Sequence, residues 1–395
     1  MRKLFLLVLV LAFMVPGIAQ PSTTDNLVDG CVTDYDAAVD YFPNKVAFDY
    51  AENVLVDYFN NYKVVTVTGA TATYDYVLVQ CGTPAPEADD FPAGTQFIEV
   101  PAGNFVSLST TQLPSLVALD LLDVLVGMDS FLYANTPEVR ELIDAGELVE
   151  VSPNFELNFE QLLITEPSIV MTDDFSLDRL AALAEAEIFT AVNTDYLETT
   201  PLGRAEWLKY TALFYNAETA AEAAFDEIET AYLDAVELAA SVPEDEQPVV
   251  LWNAISPFSD SWGIPGSSTY AGRLIEDAGG SIALQEETDG SIAFLSFEAV
   301  YEGALEADIW VTNLFAIAGL EDVLAIDERY ADFAAVENNQ VWNNDLDVNE
   351  NGGSNYYELG VTNPHLILQD LVAIFHPELL PDHEFNFFRR VEAAN

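Results

Sequence analysis

The sequence predicts an α/β protein: two helix-flanked parallel-sheet lobes joined by a long α-helix, with a β-rich N-terminal extension. Three observations carry this expectation. From Gln96 onwards, short apolar runs alternate with amphipathic segments of about ten residues, the rhythm of strand–helix–strand units. The run Ala205 to Val242 contains neither Gly nor Pro and is rich in Ala, Glu and Leu, which predicts a single helix of about ten turns approaching 60 Å. Residues Lys45 to Cys81 carry β-branched, alternating runs separated by polar turns. A chain of 395 residues is long enough for two cores. Its 50% apolar content and its 24 Phe, 17 Tyr and 5 Trp exclude a disordered polymer despite the charge.

Taken in order, the chain opens with Met1-Arg-Lys, an apolar run Leu4 to Val15 and the small residues Pro16 to Ala19. This is the build of a secretory leader, with cleavage expected after Ala19 and the remainder exported. The apolar run is shorter than the ~20 residues of a membrane span. A lipid anchor would require Cys directly after the leader, and the first is Cys31, so no lipobox is read and any tether is of another kind. Cys31 and Cys81, the only cysteines, are expected to pair in an oxidising compartment, the alternative being two free thiols.

The segments divide as leader 1–19, extension and connector 20–92, N-lobe 93–202, spine helix 203–242 and C-lobe 243–395. In the extension, Val46 to Tyr50, Val54 to Tyr58, Lys63 to Thr68 and Tyr74 to Val79 read as three or four antiparallel strands, followed by the acidic, Pro-rich connector Pro84 to Pro92. In the N-lobe, strands are expected at Phe97–Val100, Val106–Leu108, Val124–Met128, Ser168–Thr172 and near Phe189. Helices are expected at Leu113–Leu122, Pro137–Ala145 (closed by Gly146), Asn158–Thr165 and Ser176–Ala186. The C-lobe repeats the theme with strands Pro248–Ala254, Ile309–Thr312 and Gln340–Trp342. Its helices are Thr269–Ala278, Phe297–Glu302, Asp327–Ala335 and Pro364–Phe375.

Twelve Lys and Arg against 67 Asp and Glu give a formal charge of −55, which loss of Arg2 and Lys3 with the leader makes more negative. Such a field repels nucleic acid and anionic membrane surfaces. Two readings of it remain open: adaptation to salty water, where self-repulsion is screened, or attraction of cationic ligands.

The order Val106-Ser-Leu-Ser-Thr-Thr, Val126-Gly-Met-Asp and Asn158-Phe-Glu-Gln-Leu-Leu-Ile-Thr-Glu-Pro-Ser-Ile-Val-Met-Thr resembles the substrate-binding proteins of ABC importers. With Glu198-Thr-Thr-Pro-Leu-Gly-Arg-Ala-Glu-Trp before the spine, it is similar to the rigid, helix-linked type that captures ferric siderophores, haem or cobalamin. The resemblance covers about residues 96 to 390 and leaves the extension outside. It implies no enzyme and no cofactor, but a monomer that binds a metallo-organic small molecule, such as an iron chelate, and delivers it to a permease and its ATPase. Many relatives carry a lipid anchor, a point on which this chain departs.

The ligand of such a fold sits at the loops that follow the strands, where open parallel sheets bind small molecules. In the first lobe these loops hold Ser109, Thr110 and Thr111, whose hydroxyls suit an anionic or carbonyl-rich ligand, although helix capping by Thr111 explains that residue equally well. Ser130 and Phe131, and Thr172 and Asp173, occupy matching strand ends, with surface capping as the plainer reading. Arg204, at the start of the spine, is placed to grip a ligand carboxylate, or else to pair with Glu198 or Glu206. The second lobe offers Trp252, Trp262, Ser268, Tyr270, Asn313, Phe315, Asn349, Asn351, Asn355 and Tyr356, whose aromatic members give a flat wall or, individually, core packing.

Asp347, Asn349, Asn351, Gly352 and Glu358 match the spacing of an EF-hand calcium loop. A strand rather than a helix is expected to precede it, so a polar ligand loop is the preferred reading, with a calcium-binding surface protein as the alternative. His365, His376 and His383 all fall near the C-terminus, which argues against a bare-metal site shared by two lobes. No nucleophile elbow, phosphate loop or Cys–His pair is present, and a hydrolase built on paired carboxylates is the remaining enzymatic alternative.

Overall fold

The computed structural model describes residues 23–392 except 155, 257 and 258; the expected leader lies outside the described residues. Two five-stranded sheets form the lobes. The first runs Val149–Glu150, Leu125–Met128, Phe105–Ser107, Ile169–Thr172, Thr190–Val192, all parallel. The second runs Ser281–Ile282, Val249–Trp252, Ile309–Thr312, Val341–Asn343, also parallel, and ends in the antiparallel Arg389–Arg390. Ile169–Thr172 and Ile309–Thr312 are buried throughout, as strands covered by helices on both faces must be.

Most expected helices form where local chemistry starts and stops them. Pro137–Ala145 ends at Gly146, whose φ of 73° is the left-handed C-cap that Gly adopts without strain. Asn158, Ser176, Thr269 and Ser296 accept from backbone amides as N-caps of the helices starting at Phe159, Leu177, Tyr270 and Phe297. Asp327–Ala335 is the exception, divided into a 3₁₀ turn at Glu328–Asp332 and a short helix Ala334–Glu337.

The spine is not one rod. It comprises Pro201–Glu206, Leu208–Leu213 and Glu218–Ala239, the last of 22 residues and so about 33 Å at 1.5 Å per residue. The break is set by Asn216, whose φ of 56° is left-handed and whose buried side chain donates to Leu27 O and Gln80 Oε1 and accepts from Lys63 Nζ. That tertiary network overrides the helix propensity of the run.

The extension forms a four-stranded sheet: Val54–Tyr58, Tyr62–Thr68 and Thr73–Gln80 antiparallel, then Gln96–Val100 parallel to the third. Two expectations change here. Phe97–Val100 belongs to this sheet rather than to the N-lobe sheet. Val46–Tyr50 is not a strand, because the amides of Asp49, Tyr50 and Ala51 turn to the buried Glu206 carboxylate. Cys31 and Cys81 are joined, tying the chain before the sheet to its third strand. Lys63 and Glu218, both fully buried, pair at 2.7 Å and fix the sheet to the longest spine helix.

Candidate functional site

The C-terminal ends of both parallel sheets face one groove. From the N-lobe, the loop after Phe105–Ser107 brings Ser109 and Thr110, and the loop after Leu125–Met128 brings Ser130. Ser109 caps the turn Thr110–Gln112 by accepting from the Thr111 amide at 3.3 Å, so the capping residue is Ser109 and not Thr111. Ser130 is held by donation to Glu150 at 3.1 Å. Opposite these hydroxyls stand Gly352, Ser354 and Tyr357 of the C-lobe, enclosing about 310 Å³.

The groove continues into a 270 Å³ space lined by Asn313, Phe315, Asn349 and Tyr357. It continues further into a 160 Å³ space between Arg204, Trp252, Tyr270, Asn313 and Tyr356, and past Arg204 and Tyr270 into a 710 Å³ space reaching Tyr196, Ser268 and Ile292. Neighbouring spaces share walls: Tyr357 borders three of them, and Arg204, Trp252 and Tyr270 border two.

Arg204 lies at the middle of this wall. Its guanidinium stacks 4.2 Å above the Tyr270 ring and donates to the carbonyls of Glu198 and Tyr196, leaving further N–H groups unassigned. It does not pair with Glu198 or Glu206 as expected, because those carboxylates have other partners. Glu198 accepts from the amides of Glu52 and Asn53 and the indole of Trp207, and Glu206 accepts from residues 49–51 and from Lys209. Burial pushes the Asp195 carboxyl up to about 6, opposed by the nearby Arg204 charge. Burial likewise raises the Tyr270 phenol to about 12, opposed by Arg204, and raises the Tyr356 phenol, so both rings are neutral hydroxyl groups at physiological pH.

Of the expected residues, Ser109, Thr110, Ser130, Arg204, Trp252, Ser268, Tyr270, Asn313, Phe315, Asn349 and Tyr356 line this groove. The others do not. Trp262 is wholly buried among Trp310, Tyr330 and Phe333 and donates its indole N–H to Trp252 O, a core role. Thr172 is also wholly buried, and Asp173 accepts from the Phe175 amide in a local turn. Phe131 packs on the core, Thr111 bonds to Ser109, and Asn355 donates to Asp347. Asn351 offers its amide to Asn349.

The calcium-like spacing does not gather its side chains around one point. Glu358 turns to Asn135 and Thr136, Asn349 to the backbone, and among the described residues no cluster of three His, Cys, Asp or Glu could hold a metal. Tyr357, half exposed, borders the groove as well, although the sequence points only to its neighbour. Both rings of the pair Tyr356-Tyr357 border the groove, Tyr356 nearly buried and Tyr357 half exposed, and the local sequence does not say which is the more exposed.

Residues 105–345 match the model of the family described as periplasmic binding protein. Two uncharacterized lipoproteins of Methanocaldococcus jannaschii are similar. One is 23% identical over 369 residues, covering 89% of this chain and 84% of its own. The other is 25% identical over 329 residues, covering 80% of each. Among solved structures, a periplasmic heme binding protein from Pseudomonas aeruginosa has a TM-score of 0.55 at 17% identity, over 74% of this chain and 99% of its own. A periplasmic binding protein from Veillonella parvula reaches 0.56 at 13% identity, over 80% and 98%. These folds are covered almost completely by part of this chain, and the family match begins after the extension. Because that match covers more than half of the chain and reaches into both parallel-sheet lobes, the chain belongs to the periplasmic binding protein family, whose members hold substrates and are not enzymes.

Proposed function

We propose that the protein captures an organic chelate of a metal, a ferric siderophore or a comparable metallo-organic nutrient, and passes it to an ABC permease and its ATPase. One observation carries the reading: Trp252, Tyr270 and Tyr356 converge with Arg204 and Asn313 on one stretch of the inter-lobe groove, which Tyr357 joins to the space bordered by Ser109 and Ser130. Flat rings offer contact area at low entropy cost, while amides, hydroxyls and the spare N–H groups of Arg204 suit the oxygen atoms on the outside of a chelate. A structural neighbour from Staphylococcus epidermidis is described as a possible iron-binding, periplasmic solute-binding protein, and the Pseudomonas aeruginosa neighbour as heme-binding, which agrees with this class of cargo.

The protein acts outside the cytoplasm. Two relatives are called lipoproteins, whereas both cysteines of this sequence are joined to each other.

Thermal unfolding against ferric siderophores, haem, cobalamin and free Fe³⁺, Zn²⁺ and Ca²⁺ tests the proposal. Binding at about 100 times the dissociation constant adds about 2.7 kcal/mol. A rise with a chelate and none with free ions is expected. A rise with Ca²⁺ alone, or none with any chelate, would sink it.

A further inference from the structure

We infer that the groove selects chelates that are neutral or positively charged and rejects polyanionic ones. This inference rests on the chelate-capture reading and adds the charge class of the cargo. Five carboxylates line the groove, those of Asp129, Glu198, Asp289, Asp345 and Glu350. Among the described residues, Arg204 is the one cation in the lining, and Arg389 stands behind Asp345 at 2.7 Å as its counter-ion. Asp289 and Glu350 are exposed, and no Lys or Arg lies within ion-pairing distance of either among the described residues.

Arg204 does not make the groove positive. Its charge is offset by the neighbouring Asp195, two of its donors are engaged by carbonyls, and its face is covered by Tyr270. What it still presents is N–H groups, to which a neutral carbonyl or hydroxamate oxygen can bond as the carbonyls of Glu198 and Tyr196 do.

Around this groove the chain carries a formal −55, and a cleft with low-dielectric walls focuses such a field. The five lining carboxylates, less the two charges of Arg204 and Arg389, leave a net of three negative charges, which facing a trianionic ligand at about 10 Å, screened at physiological salt, weaken binding on the order of tenfold. The same field draws a cationic chelate in.

The test compares three ferric chelates of similar size: a monocationic trihydroxamate, a neutral trihydroxamate and a trianionic tricatecholate. Binding of each is measured by calorimetry at 0.15 M and 2 M NaCl, with circular dichroism confirming the fold at both. The trihydroxamates are expected to bind at least tenfold more tightly than the tricatecholate at 0.15 M. The gap should narrow at 2 M and in an Asp289→Asn/Glu350→Gln variant that keeps the wild-type circular dichroism. A tricatecholate that binds as tightly as the trihydroxamates at low salt overturns the charge rule while leaving chelate capture standing. A gap unmoved by salt and by the variant also overturns it, because shape would then be the selector. If no iron chelate of any charge binds, the chelate-capture reading falls and takes this inference with it.

Discussion

Replacing Glu358 with Ala should loosen the joint between the lobes. Glu358 belongs to the C-lobe loop that follows Val341–Asn343, and it is only 1% exposed. Its carboxylate accepts from the amides of Asn135 at 2.9 Å and Thr136 at 2.6 Å, and from the Thr136 hydroxyl. These groups lie at the N-terminus of the N-lobe helix Pro137–Ala145, where free amides and the helix dipole favour an anion. Asn349, in the same loop, adds a bond to Leu132 O at 3.0 Å. Each hydrogen bond to a charged group is worth about 1.5–3 kcal/mol, but burying the carboxylate opposes the sum, as its raised pKa shows. Truncation leaves buried amides without acceptors, so a loss of about 2–4 kcal/mol is expected. Urea denaturation reads the total, and amide hydrogen exchange reads the location: Asn135 and Thr136 should lose protection while the sheet of the N-lobe keeps its own. Unchanged protection at these two amides, with stability within about 0.5 kcal/mol of wild type, would refute the account.

Four further outcomes follow from other features. Lys63→Met leaves Glu218 buried without its cation and should cost about 3–5 kcal/mol by denaturation, and a Lys63→Met/Glu218→Leu double variant should recover most of it. Reduction of Cys31–Cys81, which are 50 residues apart in sequence, should cost about 4 kcal/mol on the chain-entropy model, read as a lower urea midpoint with dithiothreitol. Burial raises the carboxyls of Asp195 (to about 6), Asp129, Asp277 and Glu358. Between the ordinary carboxyl range and about pH 6, the native state therefore binds more protons than the unfolded chain. Stability should rise as the pH falls from 7 towards 5, the reverse of an ordinary acid-sensitive protein, and urea midpoints across that range check it. Raising NaCl from 0.1 M to 2 M should raise the melting temperature, since shortening the Debye length weakens repulsion across a −55 chain; a flat response would argue against salt adaptation.

The strand–helix rhythm was legible because it depends on local signals: apolar runs for buried parallel strands, and Asn, Ser, Thr and Gly at the helix ends. Pro137–Ala145 and Pro364–Phe375 form with the bounds expected of them. What could not be read was set by contacts distant in sequence. Nothing near Asn216 announces that Lys63 and Gln80 will break the spine there. The segment Val46–Tyr50 has a strand's composition, yet its neighbouring amides are claimed by Glu206, some 155 residues away. In the site, the expected loops border the groove, but choosing between Trp252 and Trp262 required knowing which face packs inward.

The calcium-like spacing shows why acidic residues mislead in this chain. With only four lysines in the chain, several buried carboxylates rely on backbone amides as donors, with or without a cation beside them. Glu198 takes those of residues 52 and 53, Glu206 those of 49 to 51, Glu358 those of 135 and 136, and Asp370 those of 386 to 388. An amide donor has no side-chain signature, so such partnerships are invisible in the sequence even when the acid itself is conspicuous. Their placement is nevertheless consequential: two join the extension to the start of the spine, one joins lobe to lobe, and one fixes the C-terminal strand beside the groove wall at Phe388. The carboxylates that remain without such partners, Asp289 and Glu350 among them, are left to act through their field, and it is in the groove that this field meets the ligand.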